Sequence, residues 1–141
     1  MGMHSIGCLI SIVDDDLLVR EGLISLLRSA GFATQAFASA EEFLSLAHRD
    51  DIACLILDVG LPGISGLELQ SQLTATVSNH RTPVVFMTAR DDEATRQQAL
   101  KGGAVDFLRK PVRREALLNA VQLAFQQNTA PRAGRRYPDV L

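Results

Sequence analysis

At 141 residues, 47% hydrophobic and 21% charged, the chain has the size and apolar content of one ordinary domain with a core, which excludes a disordered protein. A formal net charge of -2, a single Tyr and no Trp supply neither a basic field nor stacking platforms for nucleic acid. No apolar run approaches the roughly 20 residues of a membrane span, and no basic segment with a long apolar stretch opens the chain, so a cytoplasmic protein without membrane contact is expected.

Five strand-like runs, at 8–13, 33–37, 53–57, 84–87 and 105–108, alternate with helical patterns. The first run leads into Asp14, Asp15 and Asp16, and Asp16 is placed to cap a helix over 17–30 with Leu18, Leu23, Leu26 and Leu27 at core spacing and Gly31 as its stop. The second run carries Thr34 and Gln35 and suits a sheet edge, whereas the first, third and fourth read as strands buried on both faces. Ser39 with Glu42 and Ser65 with Glu68 form capping boxes that open the second and third helices.

The third run ends at Asp58 and the fourth at Thr88. The helical segment 92–101 then offers a core only Ala94, Ala99 and Leu100, and an element so lightly anchored shifts most easily. The fifth run leads to Lys110, and Arg113 and Arg114 open the last helix as a solvated face, with partner contact as the second reading. From Asn128 the composition turns to Thr129, Pro131, Gly134 and Pro138 with Arg132, Arg135 and Arg136, which places a domain at 6–127 and a linker or disordered tail at 128–141. Cys8 and Cys54 sit in apolar runs, as small buried thiols do, and His4, His48 and His80 have no ligand spacing.

Strand-helix alternation implies a doubly wound parallel α/β sheet, whose ligand crevice lies beyond the carboxyl ends of the strands where their order reverses. If the order is 2-1-3-4-5, Asp14, Asp15 and Asp58 converge, and two carboxylates ~4 Å apart repel by about 4 kcal/mol at an effective dielectric of about 20. A cation relieves that repulsion, and an oxygen-only donor set suits Mg²⁺, with Mn²⁺ as the alternative. Asp58 is then placed as a nucleophile toward a phosphoryl group, with the Thr88 hydroxyl and the Lys110 ammonium as its electrostatic cover. Taken singly these residues read otherwise: Asp14 to Asp16 as a capping acidic turn, Thr88 as a strand end, Lys110 as a solvated lysine and Phe107 as core.

Four blocks, IVDDD at 12–16, LDVGLPGISG at 57–66, MTA at 87–89 and GAVDFLRKP at 103–111, resemble the response-regulator receiver domains of two-component signalling across about residues 8–126. The resemblance implies a flavodoxin-like fold of order 2-1-3-4-5 in which Asp14 and Asp15 bind the metal, Asp58 is the phosphoacceptor and the Gly60 carbonyl is a further metal ligand. It assigns Thr88 and Lys110 to the phosphoryl group, Phe107 to an aromatic switch, and a cis peptide to Lys110-Pro111. Gly60 and Leu61 depart from the larger side chain and the methionine usual at those positions, and neither change removes a ligand atom.

The implied function is a signalling switch that takes a phosphoryl group from a sensor histidine kinase and hydrolyses it slowly, rather than a metabolic enzyme. Receivers of this look often precede a LuxR-type helix-turn-helix domain and dimerise through the fourth helix, fifth strand and fifth helix, so DNA contact is expected only through a downstream domain beyond this chain. A stand-alone receiver and a phosphorylation-independent interaction module are the alternatives. A haloacid-dehalogenase-like phosphohydrolase would need a second Asp where Gly60 stands, and a dinucleotide-binding domain would need a glycine-rich loop where the three aspartates stand.

Overall fold

Strands and helices alternate through the computed structural model, which describes residues 9–46, 52–75, 82–90 and 92–135. They are β1 (Leu9–Val13), α1 (Leu17–Ser29), β2 (Ala33–Phe37), α2 (Ala40–Leu46), β3 (Ile52–Asp58), α3 (Gly66–Ala75), β4 (Val84–Thr88), α4 (Glu93–Lys101), β5 (Asp106–Arg109) and α5 (Arg114–Arg135). Cys8, His4, His48, His80 and residues 136–141 lie outside the described residues.

The strands form one parallel sheet in the order β2-β1-β3-β4-β5, as the sequence predicts. Alternation along each strand splits the core in two. Ile10, Ile12, Cys54, Ile56, Val85, Met87 and Leu108 pack with Leu23 and Leu27 of α1 and with Leu117, Ala120, Val121 and Ala124 of α5. Val13, Leu55, Leu57, Val84 and Phe86 pack with Ala40 and Phe43 of α2, Leu69 of α3 and Ala99 of α4. Each fully buried Leu, Ile or Phe contributes about 1.5–3 kcal/mol of hydrophobic stabilisation, and β3, buried along its whole length, holds the two layers together. Burial pushes the Cys54 thiol up to about 12, so it is a packing group.

Several local expectations hold in detail. Asp16 caps α1 by accepting from the amides of Leu18 and Val19, and the Ser65–Glu68 capping box is reciprocal, with bonds of 3.2 and 2.9 Å. In the Ser39–Glu42 box the serine accepts from the Glu42 amide, but the Glu42 carboxylate reaches the amide of Ala38. Gln35, on edge strand β2, donates to the buried Ser11 hydroxyl at 2.6 Å and satisfies the polar group inside β1.

Two expectations need correction. Leu18 is not a core residue; it is 76% exposed, because five residues of helix from Leu23 place it about 140° from the buried stripe. Ala94 stands in the same relation to Ala99 and is likewise exposed, leaving Ala99 as the buried residue of α4. Helix α5 itself runs on past Asn128 to Arg135.

Candidate functional site

Strand register creates the site. Val13 is level with Leu57 across the β1–β3 pair, so the next residues, Asp14 and Asp58, emerge side by side at the carboxyl edge. Thr88 is level with Arg109 across β4 and β5, which brings Lys110 to the same edge. One carboxylate oxygen from each of Asp14, Asp15 and Asp58 can be chosen so that all three lie within 4.8 Å of one another. Asp14 and Asp58 are buried and Asp15 is exposed.

Asp14 is held on every side. Its amide donates to the Phe37 carbonyl at 3.1 Å, and its Oδ1 accepts from the Asp16 amide at 2.9 Å. Its own carbonyl accepts from Arg20 Nη1 at 2.7 Å. Lys110 Nζ lies 2.7 Å from Asp14 Oδ2 and 3.5 Å from Asp58 Oδ1. The Asp14 contact is one of opposite charges, since no donor is aligned on that oxygen.

Burial raises the Asp58 carboxyl above the ordinary carboxylate range and the charge of Asp14 adds to it, outweighing Lys110 and the Gly60 amide, which donates to Asp58 Oδ1 at 3.2 Å. For Lys110 burial acts downward, but pairing with Asp14 and the charge of Asp58 outweigh it and hold the ammonium above the ordinary lysine value. Three clustered carboxylates against one shared ammonium leave the site short of positive charge. The donors are all oxygen and one is open to water, so Asp14, Asp15 and Asp58 fit a hard divalent cation that keeps several waters.

The remaining expected residues are at this edge but differ in how they are engaged. Thr88 turns its hydroxyl into its own loop, donating to the Arg90 carbonyl at 2.8 Å and accepting from the Arg90 amide at 3.1 Å. Phe107 is half-buried, its ring 6.3 Å from that of Phe86 at 50°. The Lys110-Pro111 peptide is cis. Gly60 is exposed, and a Cβ there would meet nothing within 4 Å.

Three supporting residues were invisible in the sequence pattern. Arg20 reads there as a solvated helix residue, yet it grips the Asp14 carbonyl. Glu41 looks like a first-turn acid of α2, yet its Oε2 accepts from the Ile64 amide at 3.1 Å and occupies the room a Gly63 Cβ would need, at φ +74. Gln70 is buried and donates from α3 to the Ala99 carbonyl of α4 at 3.0 Å. Only a capping box or a strand-end acid advertises itself locally; the Glu41 and Gln70 contacts join segments distant in the chain, and the Arg20 contact depends on how the turn before α1 folds back.

The family model described as "Response regulator receiver domain" matches residues 10–122. The chain is 41% identical over 128 residues to "Nodulation protein W" of Bradyrhizobium diazoefficiens, covering 91% of this chain and 56% of that protein. It is 41% identical over 113 residues to "Transcriptional regulatory protein FixJ" of Azorhizobium caulinodans, covering 80% of this chain and 53% of that one. The solved structure of response regulator StyR superposes with a TM-score of 0.82 at 45% identity, over 93% of this chain and 65% of that chain. The chain thus spans a little over half the length of the curated relatives it matches.

Proposed function

This chain belongs to the response regulator receiver domain family, and from that premise we propose that it is a phosphorylation-driven switch whose phosphoacceptor is Asp58. The observation that carries the reading is the convergence of Asp14, Asp15 and Asp58 within 4.8 Å, with the Lys110 ammonium between Asp14 and Asp58. A carboxylate oxygen of Asp58 attacks the phosphorus of a sensor kinase's phosphohistidine; the P–N bond breaks, the imidazole leaves, and a mixed anhydride remains on Asp58.

Asp14, Asp15, Asp58 and the Gly60 carbonyl would hold Mg²⁺ or Mn²⁺, which supplies charge neutralisation for the phosphoryl oxygens. Lys110, already drawn into the site by two carboxylates, pairs with a phosphoryl oxygen as charge accumulates there. Thr88 gives up its two bonds to Arg90 to donate to another phosphoryl oxygen. That movement opens space toward which Phe107 turns, and the surface of α4 and β5 changes with it.

Hydrolysis returns the switch: water attacks phosphorus, the P–O bond to Asp58 breaks, and the carboxylate leaves. The domain therefore times its own signal slowly and is not a metabolic enzyme. Output is in transcription, in the cytoplasm, through a DNA-binding domain downstream of this chain and a phosphorylation-dependent dimer formed by α4, β5 and α5. The relative named as a transcriptional regulatory protein supports that output, and the absence of a helix long and apolar enough to cross a membrane among the described residues is compatible with it.

Intact mass after incubation with acetyl phosphate and Mg²⁺ tests the central claim. A single phosphoryl adduct is expected, lost in Asp58→Asn and lost with chelator. An adduct that survives the substitution would place the phosphoacceptor elsewhere, and none under any condition would favour a phosphorylation-independent module.

A further inference from the structure

Two cations reach Asp14 by different routes. Lys110 meets its side-chain oxygen, and Arg20, from the first turns of α1, donates a 2.7 Å bond to its backbone carbonyl. We propose that Arg20 is a positioning residue for the acidic pair: by clamping the Asp14 carbonyl it fixes the backbone of residues 13–16, and so keeps Asp14 and Asp15 directed at one cation. The inference rests on the metal-site reading of Asp14, Asp15 and Asp58 given above.

The physical need is plain. Asp14, Asp15 and Asp16 are consecutive, and Asp58 stands beside them, so mutual repulsion pushes this turn away from β3. The Asp14 amide and Oδ1 are tied by Phe37 and Asp16, but both bonds are uncharged at their far end. Among the described residues, Arg20 adds a bond to the turn's backbone whose donor is a full charge, and such bonds are shorter and roughly twice as strong as neutral ones.

The two cations also differ in what site chemistry asks of them. Lys110 holds a side-chain oxygen, so a phosphoryl group can draw it away. Arg20 holds a carbonyl of the chain, which a ligand in the site leaves engaged. Arg20 is thus the fixed cation of the site and Lys110 the mobile one. A lysine at position 20 would keep the charge but replace a planar fork by a strongly hydrated point charge on a flexible stem.

Calorimetric titration of the full chain with Mg²⁺ alone, at low and high salt, separates geometry from charge. Arg20→Lys and Arg20→Ala are each expected to weaken Mg²⁺ binding by about tenfold, the lower end of the range seen when a partner of a metal ligand is removed. The loss should be equal at both salt concentrations, with the thermal midpoint in chelator little changed. A native-like Arg20→Lys, with Arg20→Ala binding Mg²⁺ more tightly at low salt, would overturn the proposal in favour of a bulk charge effect. Unchanged binding in both variants would make Arg20 a surface arginine. A native chain that binds no Mg²⁺, matching Asp58→Asn, would remove the metal site itself and this role with it.

Discussion

Asp58 is burdened in the fold because burial and the neighbouring Asp14 both favour its protonated form. The folded chain then binds that proton more tightly than the unfolded chain, so the group's contribution to stability is present at acid pH and is lost as pH rises from the ordinary carboxylate range through the raised folded value. Lys110 follows the same sign in a higher window: its raised value leaves its contribution complete at neutral pH, to be lost only above the ordinary lysine range. Asp58→Asn should therefore melt several degrees above the native chain at neutral pH in chelator, at about 4 °C per kcal/mol, and the gap should close on acidification. Mg²⁺ at about 100 times its dissociation constant should raise native stability by about 2.7 kcal/mol and leave the variant unmoved; equal melting of the two proteins in chelator would refute this account. On the proposed reading, Gly60, whose amide bonds Asp58, and Arg90, which bonds Thr88, stand where side chains would border the hydrolytic water. With open space at the Gly60 Cβ position, Gly60→Asn should fold normally and lengthen the phosphoryl lifetime severalfold, whereas Arg90→Ala should shorten it. Unaltered decay of the radiolabelled phosphoprotein in both would show that neither residue governs water access.

Among the helices, α4 buries the fewest of its described residues, Ala99 alone. Its capped start, where Asp92 accepts from the Ala94 and Thr95 amides, is exposed, and Ala99 is its buried residue. The other anchor is Gln70, whose buried amide bonds the Ala99 carbonyl and lies against Gly102, so that a Cβ at Gly102 would come within 2.8 Å of Gln70 Oε1. Gly102→Ala should consequently push the Gln70 amide off α4 and destabilise the chain by about 1–2 kcal/mol. Gln70→Ala should cost a similar amount, and the double variant less than the sum, with a coupling of about 0.5–2 kcal/mol in urea unfolding. Strict additivity would mean that the two residues do not share a strain. Amide exchange in α4 should be the fastest of the five helices up to residue 127, because a helix with one buried residue opens at low free energy. Such an element is suited to transmit a change at Thr88, one strand end away.

At the scale of the molecule, a switch that reshapes α4 and β5 should alter self-association. Sedimentation velocity is expected to report a monomer before phosphorylation and a dimer after treatment with acetyl phosphate and Mg²⁺, and identical monomers in both states would end that idea. The order of five strands, the edge position of β2, and the placement of Asp14, Asp15, Asp58, Thr88 and Lys110 at one sheet edge were all legible in the sequence. The reason is physical: in a parallel sheet, being the residue just past an apolar strand is a local property, and the fold carries every such residue to one edge. Leu18 and Ala94 misled because spacing alone does not say which of two apolar stripes faces the sheet; the packing of Leu23, Leu27 and Ala99 decides it. Tertiary structure alone decided that Arg20 grips the Asp14 carbonyl, that Glu41 occupies the room beside Gly63, that Gln70 joins α3 to α4, and that Thr88 faces Arg90. Two of these contacts tie together segments the chain keeps far apart, and the two near ones depend on the exact path of a loop, which no pattern of residue types encodes.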